Sequence, residues 1–160
     1  MFWIIISNKF LLRFYLGEAY IKGGYKGIAT PIVENKEKDK EIALRNDIDQ
    51  DESNVSFSIK QTIFGTEISG VSFNKNDGKL RSTWTGTAFK VERNKFYFGI
   101  EISKKTVGYA IMVLTFNDDL VTGFYYPAKL DYGYIVKFEG KKAKIANEIF
   151  DDGRSDSPQL

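Results

Sequence analysis

Residues 55–73, VSFSIKQTIFGTEISGVSF, decide how this chain folds. Val55, Phe57, Ile59 and Ile63 share one phase, while Ser56, Ser58, Lys60 and Thr62 take the other. A period of two belongs to a strand with one face buried; a helix would repeat every 3.6 residues. Gly65-Thr66 allows a reversal, and the apolar phase slips at Gly70-Val71, which reads as a bulge. The stretch is therefore a hairpin.

The same grammar extends in both directions. Upstream, GGYKGIATPIV (23–33) makes a first strand near residues 25–33, with Pro31 at an edge or strand end. Downstream, NKNDGK (74–79) is a hairpin turn whose Asp77-Gly78 pair suits positive φ. KLRSTWTGTAFKV (79–91) changes phase between Trp84 and Phe89, predicting a bend near Gly86. Arg93-Asn94 then turns the chain into KFYFGIEI (95–102), where Phe96, Phe98, Ile100 and Ile102 alternate with polar neighbours. A Lys104-Lys105 turn leads to VGYAIMVLTF (107–116), apolar on both faces. An Asn117-Asp118 turn leads to LVTGFYY, residues 127–131 make the last connection, and YGYIVKFEG (132–140) is the last strand.

That is eight strands, and no connection after Val55 is long enough for a crossover helix, so the sheet is antiparallel. Long bent strands would leave exposed edges unless the sheet closed. The expectation is an all-β protein: a small eight-stranded antiparallel barrel, its interior filled by side chains or wide enough for one ligand. Phe57, Ile59, Phe98, Ile100, Ile111 and Val113 are the predicted interior residues. The domain reading is an amino-terminal helix within residues 1–22, a barrel over 23–140 and a polar tail over 141–160.

The 160 residues suit one domain with a core of its own. Cys and His are both absent, which removes disulfides, thiolate metal sites and the commonest near-neutral base. No phosphate loop or metal loop occurs, and Asp118-Asp119 reads as an acidic turn. The expectation is a protein that is not an enzyme and needs no cofactor or metal. A net charge of +2 does not call for DNA or RNA. Residues 31–53 hold eight acids against four basic residues and no aromatic side chain, the composition of a solvated loop.

The amino end opens with six apolar residues and stays apolar to Ile21, broken by Lys9, Arg13 and Glu18. The unbroken apolar run is shorter than the roughly 20 residues of a membrane-crossing helix, and no basic leader of the signal-peptide kind precedes it. Two readings stand: a core helix near residues 8–20, or an interfacial or juxtamembrane helix with Trp3, Phe10, Phe14 and Tyr15 at headgroup level.

Binding has more support than catalysis. Arg81, Trp84, Tyr97, Tyr109, Tyr125, Tyr126, Tyr132 and Tyr134 lie in strands or at their mouths. Rigid aromatic faces near a guanidinium suit a flat purine, and Arg81 and Lys129 suit phosphate oxygens, Arg with the better fork. Aromatics are also ordinary strand residues, so some of these simply cover the barrel.

From Gly123 the residues GFYYPAKLDYGYIVKF resemble the closing hairpin of the bacterial two-transmembrane, β-strand-rich effectors of cyclic-oligonucleotide anti-phage signalling (CBASS). VGYAIMVL (107–114) is similar to their penultimate unit, residues 82–88 and 96–102 to their central pair, and NKFLLRFYLGEAYIKGGYKG (8–27) to their juxtamembrane region. The resemblance covers residues 8–140. It implies a calycin-like barrel that binds a cyclic dinucleotide made by a partner nucleotidyltransferase, self-associates on binding and disrupts the inner membrane. On that basis the ligand residues would be Arg81, Trp84, Tyr109, Tyr125 and Lys129. Residues matching two membrane helices are absent, so a truncated form or a soluble relative is expected: cytoplasmic as it stands, at the inner membrane with a cytoplasmic barrel when anchored. Thr106 stands where the family often has His, and Lys129 where it tends to offer Arg.

Overall fold

The structure, a computed structural model, describes residues 20–33, 51–103, 108–127 and 134–143. The expected amino-terminal helix, the acidic tract, the Lys104-Lys105 turn, Lys129 and the polar tail lie outside these residues or almost wholly so.

Eight strands follow one another: β1 Gly23–Val33, β2 Ser53–Thr62, β3 Gly65–Asn74, β4 Leu80–Glu92, β5 Lys95–Ser103, β6 Gly108–Asn117, β7 Leu120–Pro127 and β8 Tyr134–Lys142. Each pairs antiparallel with the next, and β1 pairs with β8 to close the barrel. Closure leaves no strand edge open, as the length of the antiparallel run required. Consecutive pairing also explains the order, because neighbouring strands joined by short turns form with the least loss of chain entropy.

Register fixes which side chains enter the barrel. Tyr25 faces Phe57, Phe57 faces Gly70, and Gly70 faces Trp84 across three successive ladders. Tyr25 and Phe57 stack at 5.3 Å between centroids, Phe57 meets Trp84 and Phe138, and Tyr25 meets Phe116 edge-on. Phe116 in turn meets Phe96, which stacks on Phe98. These seven rings run through the interior as one contact chain, and offset or edge-on pairs of this kind add to their burial. Gly70 makes room for it: a Cβ there would stand 2.4 Å from the Trp84 ring.

Phe57, Ile59, Phe98 and Ile100 are buried in the core as predicted. Ile111 and Val113 are not interior. β6 turns Ala110, Met112, Leu114 and Phe116 inward, leaving Ile111 46 % exposed. A segment apolar on both faces carries no phase, so only the register with β5 could assign one. Three local expectations also shift. The first hairpin turns at Ile63-Phe64, Thr62 pairing with Gly65 and Thr62 Oγ1 accepting from the Phe64 amide. The irregularities fall between Ser72 and Phe73 and between Ala88 and Lys90, beside the predicted glycines rather than at them. The β6–β7 turn is Asp118-Asp119, with Asp118 at φ 53°, like Arg93 in the β4–β5 turn.

Outward, β2, β3 and β4 present Ser56, Ser58, Lys60, Glu67, Ser69, Thr83, Thr85 and Thr87. β6 and β7 instead turn Tyr109, Ile111, Phe124 and Tyr126 outward. Among the described residues no helix is long and apolar enough to cross a membrane.

Candidate functional site at the loop-bearing end

The two ends of the barrel differ. One end carries three two-residue turns: Ile63-Phe64, Arg93-Asn94 and Asp118-Asp119. It is closed from below by Ile21, 4 % exposed, whose amide donates to Gln61 Oε1 at 2.7 Å. The Tyr25 hydroxyl donates to the Ile21 carbonyl at 2.7 Å, and Gln61 Nε2 donates to Thr66 Oγ1 at 3.4 Å. Burial, then the Asp119 charge and Tyr20, push the Tyr25 hydroxyl up to about 12. This keeps it a neutral donor at any physiological pH.

The other end carries the β1–β2, β3–β4, β5–β6 and β7–β8 connections. Here the inward positions of β2, β3 and β4 turn polar. Ser53 is buried, and Ser72 and Ser82 face each other across β3 and β4 with their hydroxyls 2.6 Å apart. Arg81 occupies the irregular step between the Ser72–Ser82 and Phe73–Leu80 pairs. An extra residue re-aims its side chain at such a point, and Arg81 is aimed at the barrel mouth. Its Nη1 donates to Ser53 Oγ at 2.5 Å and to the Asp51 carbonyl at 2.8 Å, while Nε and Nη2 are shielded from solvent. Glu52 braces the same corner, bonded to Lys75 and, at 3.2 Å, to Thr30 Oγ1. The Lys75 bond, followed by that from Thr30, holds the Glu52 carboxyl below its usual range.

Of the five residues expected at a site, the structure brings three to the interior. Arg81 stands at the mouth, Trp84 lies buried next along β4, and Tyr125 points inward from β7, packed against the core. β4 and β7 are three strands apart in the ring of eight, so Trp84 and Tyr125 enter from different walls. Tyr109 is separated from them: it is on the outer face of β6 and 62 % exposed. Its parity follows from Ala110 being inward, which the two-faced apolar run concealed. Lys129 lies outside the described residues.

Sequence reasoning missed the hydroxyls. Ser53 was two residues before Val55 and so in the buried phase already identified, but Ser72 and Ser82 needed the register. A Cβ built on Gly108, which pairs with Ile102, meets no atom of the described residues within 4 Å.

Chemically, the mouth offers a permanent guanidinium charge and hydroxyls that both donate and accept. A serine hydroxyl needs an adjacent base to become a nucleophile. These groups suit holding an anionic or polar ligand. Among the described residues no group of three His, Cys, Asp or Glu could hold a metal ion. No protein-family model matches the sequence, and no curated protein matches it either.

Proposed function

We propose that this chain is the receptor domain of an anti-phage effector and that it binds a cyclic oligonucleotide, most simply a cyclic dinucleotide, without hydrolysing it. The observation that carries the reading is Arg81, set at the mouth by a strand irregularity beside Ser53, Ser72 and Ser82. A guanidinium can take a phosphate as a fork, and here it would exchange its Ser53 and Asp51 contacts for it. Tyr125, partly buried on β7, would offer a phenol to bases or ribose, Trp84, 6 % exposed within the aromatic chain, forms the floor beneath, and Lys129 is a second cation for phosphate. The ligand class comes from the sequence resemblance, as do a calycin-like kinship, the partner nucleotidyltransferase, self-association on binding and attachment to the inner membrane through the amino-terminal side.

The geometry adds a route for the signal. Arg81 ties down Asp51, just ahead of β2. A phosphate that takes over the guanidinium would compete with that carbonyl and loosen the base of the β1–β2 connection. Binding at the mouth would then alter the surface offered to a second copy.

A ligand-free adaptor is the second reading, favoured by the chain of seven aromatic rings in the interior. The same packing weakens a third reading, a lipocalin-like carrier, in which a small apolar ligand needs a hollow of its own. Calorimetric titration of the protein with a panel of cyclic di- and trinucleotides decides among them. One member should bind saturably, and Arg81→Ala should weaken it about tenfold to a hundredfold, as loss of a charge-assisted bond of roughly 1.5–3 kcal/mol requires. Because Arg81 also anchors the β1–β2 corner, the titration is run well below the variant's melting point. Silence across the panel, or an Arg81→Ala protein that binds as the parent does, overturns the reading.

A further inference from the structure

Outside the barrel, β2 to β6 carry a groove of about 700 Å³ that the mouth site does not use. Its floor follows the ladders. Ser58, Ser69, Thr85, Glu101 and Tyr109 stand in one row across five strands. Lys60, Glu67, Thr87 and Gly99 stand in the next. The groove is shallow and open, with Lys60 and Glu67 on one side, Glu101 and Tyr109 on the other, and Ser69, Thr85 and Thr87 between. The volume falls within the roughly 300–1,000 Å³ of small-molecule sites.

Gly99 has no structural reason to be glycine. It sits mid-strand outside the positive-φ residues, and a Cβ on it would meet nothing within 4 Å. Contrast Gly70 or Gly123, where a Cβ would strike a neighbour. A glycine inside a strand weakens it, and it often marks a place where something else approaches the backbone. Across from it on β6 stands Ile111, 46 % exposed, and Tyr109, one outward position along and opposite Glu101, holds its ring 62 % exposed at one end of the groove.

The lining selects the ligand by elimination. The groove is also lined by Ile68, Gly86, Ile100 and Ala110, but a wholly apolar molecule would strip water from the Ser58, Ser69, Thr85 and Thr87 hydroxyls without replacing their hydrogen bonds, which is costly. An anion would face Glu67 and Glu101, with only Lys60 in its favour, and Lys60 already lies 3.9 Å from Glu67. An extended peptide needs a free strand edge, which a closed barrel does not offer. What remains is a neutral polyhydroxylated ring. Its hydroxyls can both give to and accept from Ser58, Ser69, Thr85 and Thr87, and donate to Glu101. Its C–H face can lie on the Tyr109 ring, above the space left by Gly99. We infer that this outer groove is a carbohydrate-binding site for a neutral sugar or a short stretch of a neutral glycan, with Tyr109 as its platform and Gly99 as its clearance.

Saturation-transfer NMR of the intact chain with glucose, galactose, mannose, N-acetylglucosamine and their linear oligomers tests this, with sialyllactose and a sulfated disaccharide as anionic counterparts. At least one neutral sugar should bind saturably. Affinity that rises with oligomer length identifies a glycan chain as the natural source, and affinity that does not identifies a free sugar. Gly99→Val fills the clearance with a residue suited to strands, so it should keep the melting temperature while weakening the sugar about tenfold or more. Tyr109→Ala should do the same. Arg81→Ala should leave sugar binding unchanged, which separates this site from the mouth. The inference falls if no neutral sugar binds, if only the anionic ones do, or if Gly99→Val binds as tightly as the parent.

Discussion

Replacing Tyr25 by Phe should destabilise the barrel at neutral pH and then lose that disadvantage as the solution turns alkaline. The Tyr25 ring is 1 % exposed and its hydroxyl donates to the Ile21 carbonyl. Phe keeps the ring and removes the donor, leaving a buried carbonyl with one bond fewer, which costs about 1–3 kcal/mol. The parent carries its own penalty at high pH. Burial, reinforced by Asp119 and Tyr20, raises the hydroxyl from its ordinary 10.0 to about 12. A raised folded value means the contribution is whole below the unfolded value and is lost as pH climbs through the folded one. Between those values the unfolded chain gives up a proton that the folded one keeps, so about 1.4 kcal/mol should be gone at about pH 11. The Phe variant has no such proton to lose. Urea unfolding of both proteins between about pH 8 and about pH 11 should therefore give two stability curves that converge. A gap that stays constant across the range would mean that the hydroxyl does not sit buried as a neutral donor, and the account of the closed end would be wrong.

Two glycines should respond oppositely to alanine. Gly123→Ala places a Cβ 2.0 Å from the Val113 carbonyl oxygen and should cost about 3 kcal/mol or more, whereas Gly99→Ala enters open space and should be neutral or stabilise by about 0.4–1 kcal/mol. Similar effects at both sites in chemical denaturation would contradict the register. The parity of β6 is tested by Leu114→Ala and Ile111→Ala. The first removes a side chain that is 0 % exposed and should cost about 2–5 kcal/mol, and the second, on the outer face, should cost no more than about 1 kcal/mol. Acidification should release the corner at Glu52. Its depressed folded value means that its bonds to Lys75 and Thr30 are present above the ordinary carboxylate range and lost as pH falls through the lowered one. Amide shifts at Thr30 and Lys75 should therefore titrate together, and independent titrations would dissociate the two contacts.

Much of this architecture could be read from residues 55–73 and 95–102, because a strand with one polar face announces both its period and its phase. Phe57, Ile59, Phe98 and Ile100 were placed correctly for that reason. β6 announces only its period. With Tyr109, Ile111 and Val113 as apolar as Ala110, Met112 and Leu114, its orientation is set by hydrogen bonding to β5 and β7, which are distant information. The same ambiguity put Tyr109 among the expected ligand residues, whereas it stands on the outer face, apart from Arg81, Trp84 and Tyr125. Arg81 was singled out as a phosphate ligand from its chemistry, but its aim depends on a register step that single-strand periodicity cannot express. Turns slipped by one or two residues where the turning pair was not the one with the best turn chemistry. Ile63-Phe64 reverses the chain with help from the Thr62 hydroxyl, beside a Gly65 that seemed the better candidate.

The closing ladder between β1 and β8 gives the molecule a direction. Tyr25 pairs with Lys142, and the Ala143 amide donates to the Gly24 carbonyl at 2.8 Å, so the backbone enters and leaves the barrel at one corner of the end closed by Ile21. Whatever is joined to the barrel on either side, an anchor, a second domain or a fluorescent label, pulls on that corner. The loop-bearing end with Arg81 then faces away from the attachment, toward the surrounding solution. Tethering the protein by either flank should leave the mouth accessible, whereas grafting a bulky group into the β3–β4 turn would obstruct it.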